Sequence, residues 1–262
     1  MCRILVLVGE IQGETLKLLT KALADSARRD PYTNNDSHGD GWGYLEISLE
    51  GNVAKTVHYR SLRPIYEEEE VLRGIKPGRK ILMFHARKKS PGTPLNIHST
   101  HPVMATTRLG YELYMIHNGE FTIDPFMQEI SQLLGNPSLL QEYNDTYLAN
   151  LWLASKTLNE IDQVHLAKLQ STAKMANKAL ALLAPQETTL IVSTKYPSQI
   201  KDYAKLYHCT AQNLHVYASS TLIDYYTPTN LLNCTVPDNL TAHKYTAKNN
   251  EITGPIQLRL QA

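Results

Sequence analysis

The second residue of this 262-residue sequence is a cysteine. Small residues after an initiator methionine generally permit its removal, which would leave Cys2 at the head of the mature chain. A free N-terminal cysteine carries nucleophile and base on one residue: the thiol, and an α-amine with a pKa of about 7.7–8.0. Roughly a tenth of such amines are uncharged at neutral pH and able to take a proton. The plainer reading is a small apolar side chain in a first strand.

Further along stand other groups that could bind or polarise a substrate. Asn118 and Gly119, between apolar runs, form the strongest short signal for a β-hairpin turn. The chemical alternative is an oxyanion hole, with the asparagine amide and the glycine N–H as two donors aimed at one point. Arg87 stands where a strand gives way to a loop, a common place to display a binding group. Its guanidinium could hold a carboxylate through two parallel hydrogen bonds or make an ordinary surface ion pair. Asn144, Asp145 and Thr146 open a helix, where Asn or Asp serves as an N-cap or, alternatively, binds an ammonium group. The run from His38 to Gly43 has three glycines, yet no Lys-Ser/Thr and no helix follow, so it is a close-approach turn rather than a phosphate loop. His38, His85, His98, His101 and His117 match no metal-ligand spacing and are expected to be hydrogen-bonded structural residues.

The elements that must carry these groups can be read from periodicity. Short apolar runs predict strands over 3–8, 42–49, 53–58, 80–87, 112–117, 188–194, 214–218, 231–236 and 256–260, with a turn at Glu50, Gly51 and Asn52. Leu16, Leu19 and Leu23 predict an amphipathic helix over 14–28, and others are expected over 124–134 and 145–156. Glu67 to Glu70, followed by Arg73 and Lys76, reads as the solvated face of a short helix. Ile161, Val164, Ala173, Ala176, Leu180 and Leu183 predict the longest helix, over 161–183. Strands and helices do not alternate one for one, which argues for sheets packed with helices on their outer faces. No Pro/Gly-rich linker divides the chain, so a single domain over 1–262 is expected.

Composition removes several classes of function. Lys and Arg number 26 against 25 Asp and Glu, giving a formal charge of +1 and no strong field toward nucleic acid or a membrane surface. No run approaches the roughly 20 apolar residues of a spanning helix. The apolar start is too short for a secretory signal and is interrupted at Glu10. Cys2, Cys209 and Cys234 make neither a disulfide framework nor a metal pattern. A soluble, cytoplasmic globular protein is the expectation.

The order of these motifs carries more than any one of them. Met-Cys, Asp-Gly-Trp-Gly, His-x-Arg-x-x-Ser-x-Gly, His-Pro, His-Asn-Gly and Asn-Asp-Thr follow one another over residues 1 to about 150. That series resembles the glutaminase domain of class II glutamine amidotransferases, a branch of the N-terminal-nucleophile hydrolases, in its stand-alone form. The resemblance implies an α+β fold, a four-layer αββα sandwich. It implies Cys2 as nucleophile with its own α-amine as base, and Asn118 and Gly119 as the oxyanion hole. Arg87 would hold the α-carboxylate of glutamine and Asp145 its α-ammonium, with Ser90 and His101 lining the site. No cofactor or metal is implied, and the ammonia would pass to a separate synthase subunit. The sequence departs from the pattern at Lys88, where many members have an aromatic residue, and at Tyr147, where a Glu often follows Asp-Thr. Two alternatives stand beside this: hydrolysis of γ-glutamyl amides or small γ-glutamyl peptides, and a catalytically silent relative that binds glutamine or a protein partner.

Overall fold

The computed structural model describes residues 2–50, 53–197, 201–228 and 230–260. Met1, Gly51 and Asn52, on which two of the expectations above fall, lie outside them. In chain order the elements are β1 (Arg3–Ile11), α1 (Gly13–Arg28), β2 (Trp42–Glu50), β3 (Val53–Ser61), α2 (Glu69–Gly74), β4 (Gly78–Ala86), β5 (Val103–Thr106) and β6 (Glu112–Phe121). There follow α3 (Met127–Leu134), α4 (Asp145–Lys156), α5 (Gln163–Ser171), β7 (Ala173–Leu183), β8 (Thr188–Ser193) and α6 (Lys201–Ala204). The chain ends with β9 (Leu206–Ala211), β10 (Leu214–Ser219), β11 (Asn233–Thr235), β12 (Thr241–Lys248) and β13 (Glu251–Arg259).

The strands form a seven-stranded sheet, β11-β9-β10-β1-β4-β2-β3, and a six-stranded one, β13-β12-β8-β7-β6-β5, antiparallel throughout. Side chains alternate across each strand, so a central strand feeds two cores at once. Ile4, Val6 and Val8 of β1 meet Tyr114, Ile116, Ala179 and Val192 of the other sheet. Leu5 and Leu7 point outward instead, onto Leu16, Leu19 and Leu23 of α1. On the far side Leu113, Met115, Leu180 and Leu182 pack against Trp152 and Leu153 of α4 and Leu166 and Leu169 of α5. The result is the expected α+β sandwich of four layers, helix, sheet, sheet, helix.

Three expectations are corrected. The helix over 161–183 is α5 followed by β7, one of the two middle strands of the second sheet. Burial on both faces removes the alternation that marks a strand, so the apolar run of β7 mimics a helical stripe. Asn118 and Gly119 are not a hairpin turn; both lie inside β6, opposite Asn177 and Ala176 of β7. Cys209 and Cys234 are not isolated: they face each other across β9 and β11 and form a disulfide over a separation of 25 residues. β5, β9 and β12 are further strands beyond those predicted, each paired with the strand that follows it in sequence.

Candidate active site

Cys2 precedes the first residue of β1 and therefore sits at the end of the sandwich, half-buried. Its backbone N–H donates to Asn118 Oδ1 at 2.9 Å. Its Sγ lies against the peptide of Lys88, accepting from the Lys88 N–H at 3.4 Å and donating to the Lys88 carbonyl at 3.5 Å. Burial pushes the thiol pKa up, while the Lys88 N–H and the charges of Arg87 and Arg3 pull it down. Lys88 itself is anchored at 2.5 Å to Asp36.

Register puts Asn118 beside the cysteine: in antiparallel β6 its side chain shares the inter-sheet face with Ile116, as Ile4 does in β1. Gly119 has φ +151, and a Cβ there would fall into the Met175 carbonyl of β7, so only glycine fits. β5 pairs with β6 only as far as Met115, which leaves the end of β6 without a neighbour on that side. On this open edge the His117 N–H goes to His101 Nδ1 at 3.4 Å and the Phe121 N–H to Asp145 Oδ2 at 2.8 Å. Gly119 lies between those two, and strand alternation directs its N–H to the same edge.

Arg87 follows the last residue of β4. The turn at Asp40 and Gly41 fixes its backbone, with Arg87 N–H to Gly41 C=O at 2.8 Å and Asp40 N–H to Arg87 C=O at 3.0 Å. One end of the guanidinium donates from Nη2 to Pro94 C=O at 2.7 Å, while Nη1 is buried with no hydrogen-bond partner. Burial lowers the Arg87 pKa, opposed by the charges of Cys2, Asp40 and Asp145, so these groups share one electrostatic neighbourhood. Asp145 is the first residue of α4, capped by Asn144, whose Oδ1 accepts the Tyr147 N–H at 2.9 Å. Burial raises the Asp145 pKa, and the Phe121 and Thr146 N–H groups oppose that rise. Cys2, Asn118, Gly119, Arg87 and Asp145 are thus brought together from four segments.

The other two candidates are His101 and Ser90. His101 accepts the His117 N–H next to Asn118, with its Nε2 facing Asn144 Nδ2 at 3.2 Å and its ring 4.1 Å from that of His85. His85 bonds the His117 carbonyl at 3.0 Å, and His117 Nδ1 meets Thr146 Oγ1 at 3.0 Å. Burial keeps all three imidazoles neutral, with His85 down at about 3 and the other two well below 6.5. They tie β4 and β6 to the start of α4, the structural role expected of them. Among the described residues no group of three His, Cys, Asp or Glu side chains could hold a metal ion. Ser90 is exposed in a turn and uses its carbonyl to accept the Thr93 N–H and Oγ1 at 3.1 and 2.7 Å.

Sequence reasoning missed Arg3, Asp30 and Tyr203, which converge behind Cys2. The Arg3 guanidinium is ion-paired with Asp30 and lies 4.9 Å from the Tyr203 ring centre. Arg3 reads as one more residue of a strand, and Tyr203 is about 200 positions away from it. No sequence signal joins them.

No family model and no curated protein matches this sequence. Solved structures do match by shape. One is glutamine phosphoribosylpyrophosphate (PRPP) amidotransferase from B. subtilis, at TM-score 0.61 and 12% identity, covering 99% of this chain and 49% of that one. The chain therefore spans about half the length of that structure. Another is a glutamine aminotransferase class-II domain protein from Silicibacter pomeroyi, at TM-score 0.52 and 12% identity, with 100% of both chains covered. At this identity the likeness is one of architecture: the chain has the α+β, αββα sandwich fold of these amidotransferase structures.

Proposed function

We propose that this protein hydrolyses the side-chain amide of L-glutamine to glutamate and ammonia, with Cys2 as nucleophile. The observation that carries the proposal is the placement of the Cys2 nitrogen on Asn118 Oδ1, with the sulfur beside a buried, half-paired Arg87. Loss of Met1 turns that nitrogen into an α-amine already held by Asn118. Arg87 Nη1, buried without a partner, takes the α-carboxylate of glutamine, and Asp145 takes the α-ammonium. These anchors convert a bimolecular encounter into attack within one complex.

The α-amine then receives the thiol proton and the thiolate adds to the side-chain carbonyl carbon. Asn118 Nδ2 and the Gly119 N–H receive the oxyanion, a stabilisation of about 3 kcal/mol per donor by comparison with measured holes. Ammonia departs with a proton from the α-ammonium, and water, its proton taken by the amine, releases glutamate from the thioester. No cofactor enters these steps. In this proposal the chain is one cytoplasmic catalytic domain, and ammonia passes to an acceptor on a separate partner.

The test is direct. Protein whose intact mass shows a free Cys2 terminus is incubated with glutamine and a panel of γ-glutamyl amides and peptides, following ammonia and glutamate. Turnover of glutamine above the panel supports the proposal. Preference for γ-glutamyl peptides moves the assignment to that substrate class, and no turnover of any compound overturns hydrolysis.

A further inference from the structure

The hydrogen-bond ladder stops short of the nucleophile. β4 pairs with β1 down to Arg3, but β10 pairs only from Leu5 onward, so on the β10 side the preceding backbone turns to side chains. Ile4 N–H donates to Ser219 Oγ at 2.9 Å, and the Cys2 carbonyl accepts from Arg3 Nη1 at 3.0 Å. Arg3 is fully buried, as is its partner Asp30. All the contacts of Asp30 are with donors: Oδ2 takes Arg3 Nη2 and His38 Nε2 (3.0 Å), and Oδ1 takes Thr221 Oγ1 (3.1 Å) and the Tyr32 N–H (3.2 Å). A fully buried ion pair adds little stability over an apolar replacement, so stability alone does not account for its presence one residue from Cys2.

We infer that Arg3, anchored by Asp30, is the positioning residue of the nucleophile: it fixes the Cys2 carbonyl and so aims amine and thiol at the substrate. This rests on the hydrolase reading above. Arg3 also adds positive charge beside two groups that work as free amine and thiolate, and such a charge favours both deprotonated forms. The groups facing them are Arg3 of β1 with Asp30 and His38, Arg87 and the Lys88–Asp36 pair after β4, Asp40, and Tyr203 of α6. Removing Arg3 therefore moves both titrations toward higher pH.

The experiment compares wild type with Arg3→Met, Arg3→Lys and Thr221→Val, each confirmed as folded by thermal melting and as carrying a free Cys2 terminus. Cys2 is the one free thiol, so its alkylation by iodoacetamide against pH is read by intact mass, without reference to turnover. For Arg3→Met the alkylation midpoint is expected to rise by about 0.5–1 pH unit. Its kcat for glutamine is expected to fall about 10–100-fold with KM within about threefold. Arg3→Lys restores part of both effects, and Thr221→Val gives a smaller shift of the same sign should Arg3→Met fail to fold. An unchanged midpoint in the folded variants, or a raised KM at constant kcat, overturns the inference. If wild type hydrolyses nothing, the hydrolase reading fails, while the alkylation curves still decide what Arg3 does to Cys2.

Discussion

Lys178 gives the sharpest test of the packing. In β7 it stands opposite His117 of β6 and Ser193 of β8, on the face that carries Leu180 and Leu182. The side chain is fully buried, its Nζ has no hydrogen-bond partner, and the Phe121 ring centre lies 5.9 Å away. Burial, helped by the charge of Lys195, pulls its pKa from 10.5 to about 7. The unfolded chain therefore binds a proton that the folded chain gives up between pH 7 and 10.5, and stability rises with pH through that window. At about 1.4 kcal/mol per pH unit, the amine withholds roughly 4 kcal/mol from folding at pH 7 and about 2 kcal/mol at pH 9. Lys178→Met, of similar length and apolar, removes this cost. Urea melts of both proteins at pH 6, 7, 8 and 9 should show the variant more stable, with its advantage shrinking by about 2 kcal/mol between pH 7 and 9. Taking the difference between the two proteins cancels the titration of groups that do not interact with Lys178. A pH-independent difference, or a wild type more stable than the variant, would refute the reasoning and mean that the amine reaches water or a partner.

Other outcomes follow from the same structure. Cys2→Ala should abolish ammonia release while leaving the melting temperature within a few degrees of wild type. Arg87→Ala and Asp145→Asn should raise KM for glutamine by at least about tenfold, since each removes a charged anchor worth about 1.5–3 kcal/mol, with a smaller fall in kcat. Gly119→Ala drives a Cβ into the Met175 carbonyl at a positive φ and should cost about 1–3 kcal/mol of stability together with most of the turnover. Cys209→Ser opens a disulfide loop of 25 residues and should cost about 3 kcal/mol in urea melts. Its turnover at 25 °C should remain near wild type, because β9 and β11 lie at the far edge of their sheet.

Local patterns were enough to place the strand behind Cys2, the helix over 14–28, the cap at Asn144 and the loop that presents Arg87. Each depends on neighbours within about a turn of chain: the leucine spacing of α1, or an asparagine three residues ahead of the N–H it caps. The candidate set Cys2, Arg87, Asn118, Gly119 and Asp145 was also legible, since short motifs in a fixed order survive without long-range information. The hairpin expected at Asn118 failed because tertiary pairing with Asn177 and Ala176 overrode a local turn preference. Likewise β7 passed for a helix because two cores bury both of its faces.

What remained hidden was whatever depends on contact between distant segments. The union of Cys209 with Cys234, the convergence of Tyr203 and Thr221 on Arg3 and Asp30, and the unpartnered amine of Lys178 all belong to this class. Hydrophobic periodicity reports which face of an element is buried, but it does not say against what. Desolvation and hydrogen bonding act at a few ångströms in space, so the charges and pKa values of this site exist only once the two sheets have closed.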